Sequence, residues 1–398
     1  MKQGDTVGGY QVVTEPTNAG GGKCMWAFAE KNGKQYFLKE FLTPTRPLPG
    51  VGSAGRRVAM EAVCKEFEDR HRGIMARLRP DMPGGGHLVL AEAFFGEGTS
   101  YYKVTKRIDT SSLDRPQRLE VGQKRVLLKS LAVSVRLLHD IGVVHGDLKP
   151  DNVLVQKMAG NAFHIAKLID FDDSYLSGQP SGRTDVAGDS QYGAPEWRRY
   201  VQGDEATAPE ALTTAVDLFA FGLLTHYYLT GALPRLKPGF GAAADAVNAG
   251  EQLGLDRRLT DPMRKLLRSM LMADPAARPA MSAVLAALDT PDICALRHPR
   301  PAAPSSPAPA PAPSPAPAPA SVRSPEAATG RSGAGTGKAS RVEMSISTAR
   351  LPAPAAAAKT PAAPAKAPPA APAPAPAKTP AEPATGRTSR VRIYLDRP

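Results

Sequence analysis

The stretch HGDLKPDNVL, His145 to Leu154, sets a carboxylate, an ammonium group and a carboxamide at fixed offsets: Asp147, then Lys149 two residues later, then Asn152 five after the aspartate. These three groups suit phosphoryl transfer. An acceptor hydroxyl needs a carboxylate to position it and take its proton, which is the chemistry of Asp147. The phosphoryl group in flight carries negative charge that Lys149 can neutralise. Asn152 offers a carbonyl oxygen to a metal ion bridging the phosphates. Eighteen residues beyond Asn152, Asp170 closes the run LID of LIDFDD. An aspartate at a strand end is more often a turn residue, and this one gains weight from its distance behind a complete loop.

Such groups need elements to hold them. Before the loop, QKRVLLKSLAVSVRLLHDIG reads as a strongly apolar helix, and after it NVLV and HIAKLID read as short strands. VDLFAFGLLTHYYL and DPMRKLLRSMLM are further helices. Upstream, Tyr10 to Phe41 alternates in three antiparallel strands separated by turn formers. Apolar residues at helical spacing, Met60, Val63, Cys64, Phe67, Ile74 and Leu78, then predict one amphipathic helix ended by Pro80. HLVLAEAFF and SYYKVTKRI add two strands. Strands first and helices after predict an α+β chain in two lobes, residues 1–108 and 109–297.

HGDLKPDN resembles the HRDLKxxN catalytic loop of protein kinases, and LIDFDD resembles the DFG segment that follows it. The resemblance is to bacterial-type, eukaryotic-like serine/threonine protein kinases and covers about residues 8 to 290. It implies the two-lobed protein-kinase-like fold, use of ATP with Mg²⁺ or Mn²⁺, and transfer to Ser and Thr hydroxyls of protein substrates, this chain included. Asp170 is then the second metal ligand beside Asn152, with Phe171 packed beneath and Asp172 where the family has glycine. In YFLKEF, Lys39 corresponds to the lysine on the α- and β-phosphates, its partner a glutamate of the following helix, Glu68 in preference to Glu61. In NAGGGKCMWAFA, Gly20, Gly21 and Gly22 allow close backbone approach to phosphates, although Ala19, Cys24 and Trp26 depart from GxGxxGxV. Thr105 takes the gatekeeper place, and Lys106 to Ile108 would offer backbone groups to adenine. GDSQYGAPEW resembles the end of an activation segment, with Glu196 paired to Arg278 of DPAARP and Asp217 bracing the catalytic loop.

Two departures bear on mechanism. Gly146 replaces the arginine that precedes the catalytic aspartate in most regulated kinases, which predicts weak dependence on activation-loop phosphorylation at Ser174, Thr184 or Ser190. Asp189 stands where the family has the threonine that touches the catalytic aspartate and lysine. Two other readings share these residues. A small-molecule phosphotransferase of the aminoglycoside or choline kinase type also shows HGD, but lacks the APE, Asp217 and Arg278 features. A pseudokinase scaffold would explain the altered glycine loop and DFD, and would not need Lys39, Asp147, Asn152 and Asp170 together.

The remaining sequence narrows the setting. Residues 298–398 are crowded with Pro and Ala and predict an extended, disordered tail. From Pro301 onward 12 Lys and Arg face 4 Asp and Glu, so the tail holds most of the +12 formal charge. No basic cluster with interleaved aromatics occurs, so nucleic acid is not expected as a partner. Within the tail, TGKASRV (Thr336 to Val342) recurs as TGRTSRV (Thr385 to Val391), read as paired docking or modification motifs for a tail-binding partner protein. Ser340 and Ser389 are candidate autophosphorylation sites. Cys24, Cys64 and Cys294, odd in number and far apart, suit reduced, packed thiols rather than zinc or disulfides. Neither a signal-peptide pattern nor a membrane-spanning apolar run occurs, so a cytoplasmic setting is expected, with no transmembrane segment.

Overall fold

The computed structural model describes residues 1–19, 24–79, 81, 85–108, 115–158 and 163–297. The glycine run Gly20 to Gly22, and with it the glycine-loop expectation, lies outside the described residues, as does the whole tail with Ser340 and Ser389.

The two-lobed α+β arrangement is present. The first lobe is a six-stranded sheet with the order β1-β2-β3-β4-β6-β5, every pair antiparallel. Its strands are β1 (Thr6–Val7), β2 (Tyr10–Val12), β3 (Cys24–Lys31), β4 (Lys34–Phe41), β5 (Ala91–Glu97) and β6 (Ser100–Lys106), with helix α1 (Ala54–Arg77) inserted between β4 and β5. The β3–β4 hairpin turns through Asn32 and Gly33, both at positive φ (52° and 69°), the backbone that a tight two-residue turn requires. That turn fixes the register, and a slip of one residue would reverse every side chain. Trp26 therefore faces Lys39 and Phe28 faces Phe37, while across β4–β6 Lys39 faces Lys103 and Phe37 faces Thr105. All six side chains share one face of the sheet.

The other face packs Val12, Ala27, Leu38, Tyr102 and Val104 into its own core. α1, capped by the Ser53 side chain accepting from the Arg56 amide, covers one end of the Lys39 face. Cys64 and Phe67 of α1 pack there with Cys24, Phe41, Phe94 and Tyr101. The inward line of α1 is Cys64, Phe67, His71 and Ile74, at i, i+3, i+7 and i+10. Val63, expected on the apolar stripe, falls off that line and is 56% exposed.

The second lobe is mainly helical. α2 (Val121–Asp140) buries Leu127, Leu128, Leu131, Val135 and Leu138. It is followed by short strands β7 (Val143–Val144), β8 (Val153–Lys157), β9 (His164–Leu168) and β10 (Tyr175–Leu176). Then come α3 (Pro195–Val201), α4 (Ala215–Thr230), α5 (Ala243–Asn248), α6 (Asp261–Met270) and α7 (Met281–Ala287). α4 is buried nearly all round, as a helix without a polar face must be. β8 and β9 form a hairpin that carries Asn152 at its entrance and Asp170 just past its exit. The lobes join where the Val89 amide donates to the Leu168 carbonyl (2.9 Å). The three cysteines are free and buried, in line with the thiol reading. Among the described residues no helix is long and apolar enough to cross a membrane.

Candidate active site

A cavity of about 340 Å³ opens between the lobes. Its sheet side is the face described above, with Trp26, Phe28, Phe37, Lys39, Lys103 and Thr105; its opposite side holds Asn152, Leu154, Ile169 and Asp170. Trp26 and Phe37 stack with ring centroids 5.2 Å apart and planes at 27°, giving the cavity an aromatic roof. Lys39, Thr105, Asn152 and Asp170, expected from sequence to share one site, thus line one cavity.

The catalytic-loop residues form a tightly bonded group beside it. Asn152 Nδ2 donates to the Asp147 carbonyl (2.7 Å) and to Asp147 Oδ2 (2.9 Å). Lys149 Nζ lies 2.7 Å from the same Oδ2 and 3.9 Å from Asp189. Burial opposes the Lys149 charge, yet the hydrogen bond to Asp147 leaves its pKa above the usual value. Asp147 Oδ1 is buried and has no hydrogen-bond partner. Buried carboxylate oxygens are normally satisfied, so an orphan one marks a place reserved for a donor.

α4 holds this loop in shape through Asp217, buried at 1% exposure. Its carboxylate accepts from the amides of His145 (2.8 Å) and Gly146 (3.1 Å) and lies 3.0 Å from His139 Nε2. Burial alone would raise the Asp217 pKa, but the His139 hydrogen bond and the neighbouring histidines hold it below the usual range. The His145 ring donates from Nε2 to the Ile169 carbonyl (3.0 Å), accepts from the Asp147 amide at Nδ1 (3.3 Å) and packs on Phe171. One imidazole therefore ties Asp147 to the strand end that bears Asp170.

Gly146 has φ +81°, and a Cβ there would stand 2.8 Å from the Asp173 carbonyl. The segment leaves no room for the family's arginine. Farther along, Arg278 grips Glu196 with two bonds (2.7 and 2.8 Å), both side chains fully buried, as the family resemblance implies. Of the three hydroxyls read as available, Thr184 and Ser190 are exposed. Ser174 is not: at 1% exposure it donates to the His145 carbonyl (3.1 Å).

The partner of Lys39 differs from the sequence expectation. Glu68 accepts from the Tyr101 hydroxyl (2.8 Å) and meets Arg72 (3.5 Å), while Glu61 lies by Arg57 (4.0 Å). Neither reaches Lys39. The helix phase explains this, because Glu68 sits one step off the inward line and His71 occupies it. Lys39 instead binds Asp170 (2.8 and 3.0 Å) and lies 2.6 Å from Asp172 Oδ2. The other Asp172 oxygen pairs with Lys103, whose ammonium lies 3.2 Å from His71 Nδ1. Burial opposes the charge of Asp172, but Lys103 and Lys39 hold its pKa well below the usual range. Asp170, pushed up by burial and by Asp172, is the more easily protonated of the two. Burial, Asp172 and Asp170 together raise Asp173 to about 7. Sequence reasoning missed Lys103 and His71. Both sit at inward positions, a signal present in the strand alternation of SYYKVTK and in the helical spacing from Phe67.

The family model of the protein kinase domain matches residues 85–288. The chain belongs to the protein kinase domain family. Over 154 residues it is 34% identical to the serine/threonine-protein kinase pkn2 of Myxococcus xanthus, covering 38% of this chain and 16% of that protein. The serine/threonine-protein kinase RAD53 of Saccharomyces cerevisiae is 26% identical over 208 residues, 48% of this chain and 24% of that one. The calcium/calmodulin-dependent protein kinase type I of Schizosaccharomyces pombe is 26% identical over 243 residues, 59% of this chain and 65% of that one. The chain thus spans only part of the length of these relatives. Membership of the family carries the general use of ATP with a divalent cation.

Proposed function

We propose that the chain is a serine/threonine protein kinase that moves the γ-phosphoryl group of ATP, with Mg²⁺ or Mn²⁺, to hydroxyls of protein substrates. The observation that carries this is the state of Asp147: one oxygen is fixed by Lys149 and Asn152, and the other is buried without a partner. An incoming Ser or Thr hydroxyl supplies the missing donor, is aligned by that bond and gives up its proton to Oδ1. Lys149, beside Asp147, neutralises charge on the moving group.

The donor chemistry fits a divalent cation. Asn152 commits its amide nitrogen to Asp147, which leaves its oxygen to bind, and Asp170 adds a carboxylate at the cavity wall. Such hard oxygen donors suit Mg²⁺ or Mn²⁺. A bound cation would screen the phosphate charges and orient the γ-phosphoryl group. Lys39 supplies positive charge for the α- and β-phosphates, and the slot between the aromatic roof and Leu154, next to Thr105, suits adenine. A protein substrate is supported by the buried Glu196–Arg278 pair, which stabilises the segment that protein kinases use to hold peptides. Transfer of this kind belongs in the cytosol, where ATP and Mg²⁺ are abundant. For the tail we propose autophosphorylation at Ser340 and Ser389 and docking of a partner protein on the TGKASRV and TGRTSRV repeats.

The test is incubation of the full chain with labelled ATP and each cation, followed by phosphoamino-acid analysis. Label on phosphoserine or phosphothreonine is expected. Label only on added hydroxyl metabolites would move the reading to a small-molecule phosphotransferase, and nucleotide binding without any transfer would move it to a pseudokinase. Phosphopeptide mapping that finds label elsewhere but never on Ser340 or Ser389 would remove the tail proposal.

A further inference from the structure

The register that pairs Lys39 with Lys103 sets two ammonium groups side by side on the covered face of the sheet. Like charges opposed across a ladder are unfavourable, and each of these side chains is at most 12% exposed. Both counter-charges come from LIDFDD. Asp172 hydrogen-bonds Lys103 through one carboxylate oxygen, and its other oxygen lies 2.6 Å from Lys39 as an ion pair without a hydrogen bond, the side chain being 11% exposed. Asp170, at 35%, gives both of its oxygens to Lys39 alone.

We propose that Asp172 is the positioning residue that holds Lys39 for nucleotide phosphates, and that Lys103 and His71 link this anchor to α1 in place of a helix glutamate. The inference rests on the kinase reading for its nucleotide. In that reading a divalent cation would draw on the Asp170 carboxylate, which now has both oxygens on Lys39. Asp172 is the less available of the two carboxylates to a cation, at 11% exposed against 35% for Asp170 and shared between two ammonium groups. It is then the carboxylate left to keep Lys39 in register.

The link to the helix is continuous. His71, 3% exposed, is the inward residue of α1 where a carboxylate would otherwise point at Lys39. A neutral imidazole cannot neutralise a lysine, but its Nδ1 accepts from Lys103, and Lys103 bonds Asp172. The contacts from α1 to Lys39 thus run through His71, Lys103 and Asp172. A glycine at position 172 would break that chain at its centre.

The test is a double-mutant cycle on the full chain, reading the Kd of MgADP by calorimetry and folding by thermal unfolding. Asp172→Asn should weaken MgADP about tenfold, the scale of one lost counter-charge worth about one pKa unit. In a Lys39→Met background the same change should add less than about twofold, because it acts through Lys39. Equal effects in both backgrounds would overturn the proposal. If Asp172→Asn folds poorly, Asp172→Asn/Lys103→Met removes one charge of each sign. Affinity should stay about tenfold down in that double variant, and recovery to wild type would show that Asp172 merely neutralises Lys103. His71→Gln, which keeps an acceptor, should hold affinity better than His71→Leu, and equal values would cut the helix out of the chain. Wild-type binding without transfer would end the kinase reading while the cycle still judges this one. A wild type that binds no MgADP would overturn both.

Discussion

Breaking the Glu196–Arg278 pair should unfold the activation segment at a cost that can be worked out. Both side chains are fully buried, with two direct bonds and three further Arg278 bonds to the carbonyls of Met272 (2.9 Å), Ala215 (2.8 Å) and Ala273 (3.4 Å). Glu196→Gln leaves a buried guanidinium without its counter-charge, a situation that costs roughly 3–5 kcal/mol. At about 2.1 cal/mol/K per residue, a lobe pair of some 280 residues unfolds with an entropy near 0.6 kcal/mol/K. The expected fall in Tm is therefore about 5–8 °C by calorimetry. Glu196→Leu/Arg278→Met, which removes both charges, should lose less than half of that. A Glu196→Gln variant within about 1 °C of wild type would refute the reasoning, because it would mean that water reaches the pair.

Other perturbations follow from the same geometry. His71 is buried and neutral, with a pKa pushed down to about 3 by burial and Lys103, so its contribution is intact above the unfolded value near 6.5 and is lost as pH falls below that. Between pH 7.5 and 5 the loss should reach about 2 kcal/mol, and urea titrations of His71→Gln should show a flatter acid limb. Gly146→Ala combines positive φ with a Cβ 2.8 Å from the Asp173 carbonyl, and should lower stability by about 2 kcal/mol, read as a reduced urea midpoint. Thr184→Ala and Ser190→Ala should each change the transfer rate less than about twofold, since Gly146 offers a phosphate no cation. A tenfold loss in either would show another counter-charge at work.

The residues legible from sequence are those whose function travels with contiguous spacing. HGDLKPDN fixes Asp147, Lys149 and Asn152 on one loop, and Asp217, Glu196 and Arg278 were reached through the resemblance of their short runs to the kinase family. What could not be read depends on phase. Choosing between Glu68 and His71 takes the rotation of α1 about its axis, a matter of one residue in a 24-residue helix. Seeing Lys103 beside Lys39 takes the register across β4–β6 as well as the alternation along β6. Ser174 looked available because hydroxyls in loops are usually exposed, and its bond to the His145 carbonyl is a tertiary feature. The alternation of YFLKEF puts Phe37 on the Lys39 face, but its stacking on Trp26 depends on the register set by the β3–β4 turn.

The central claim is that Asp147 performs transfer while the nucleotide is held elsewhere. Measuring both MgADP affinity and label transfer from ATP in Asp147→Asn tests it most directly. The account predicts affinity within about threefold of wild type and transfer reduced at least about a hundredfold. Transfer that survives at wild-type rate with nucleotide bound would contradict it.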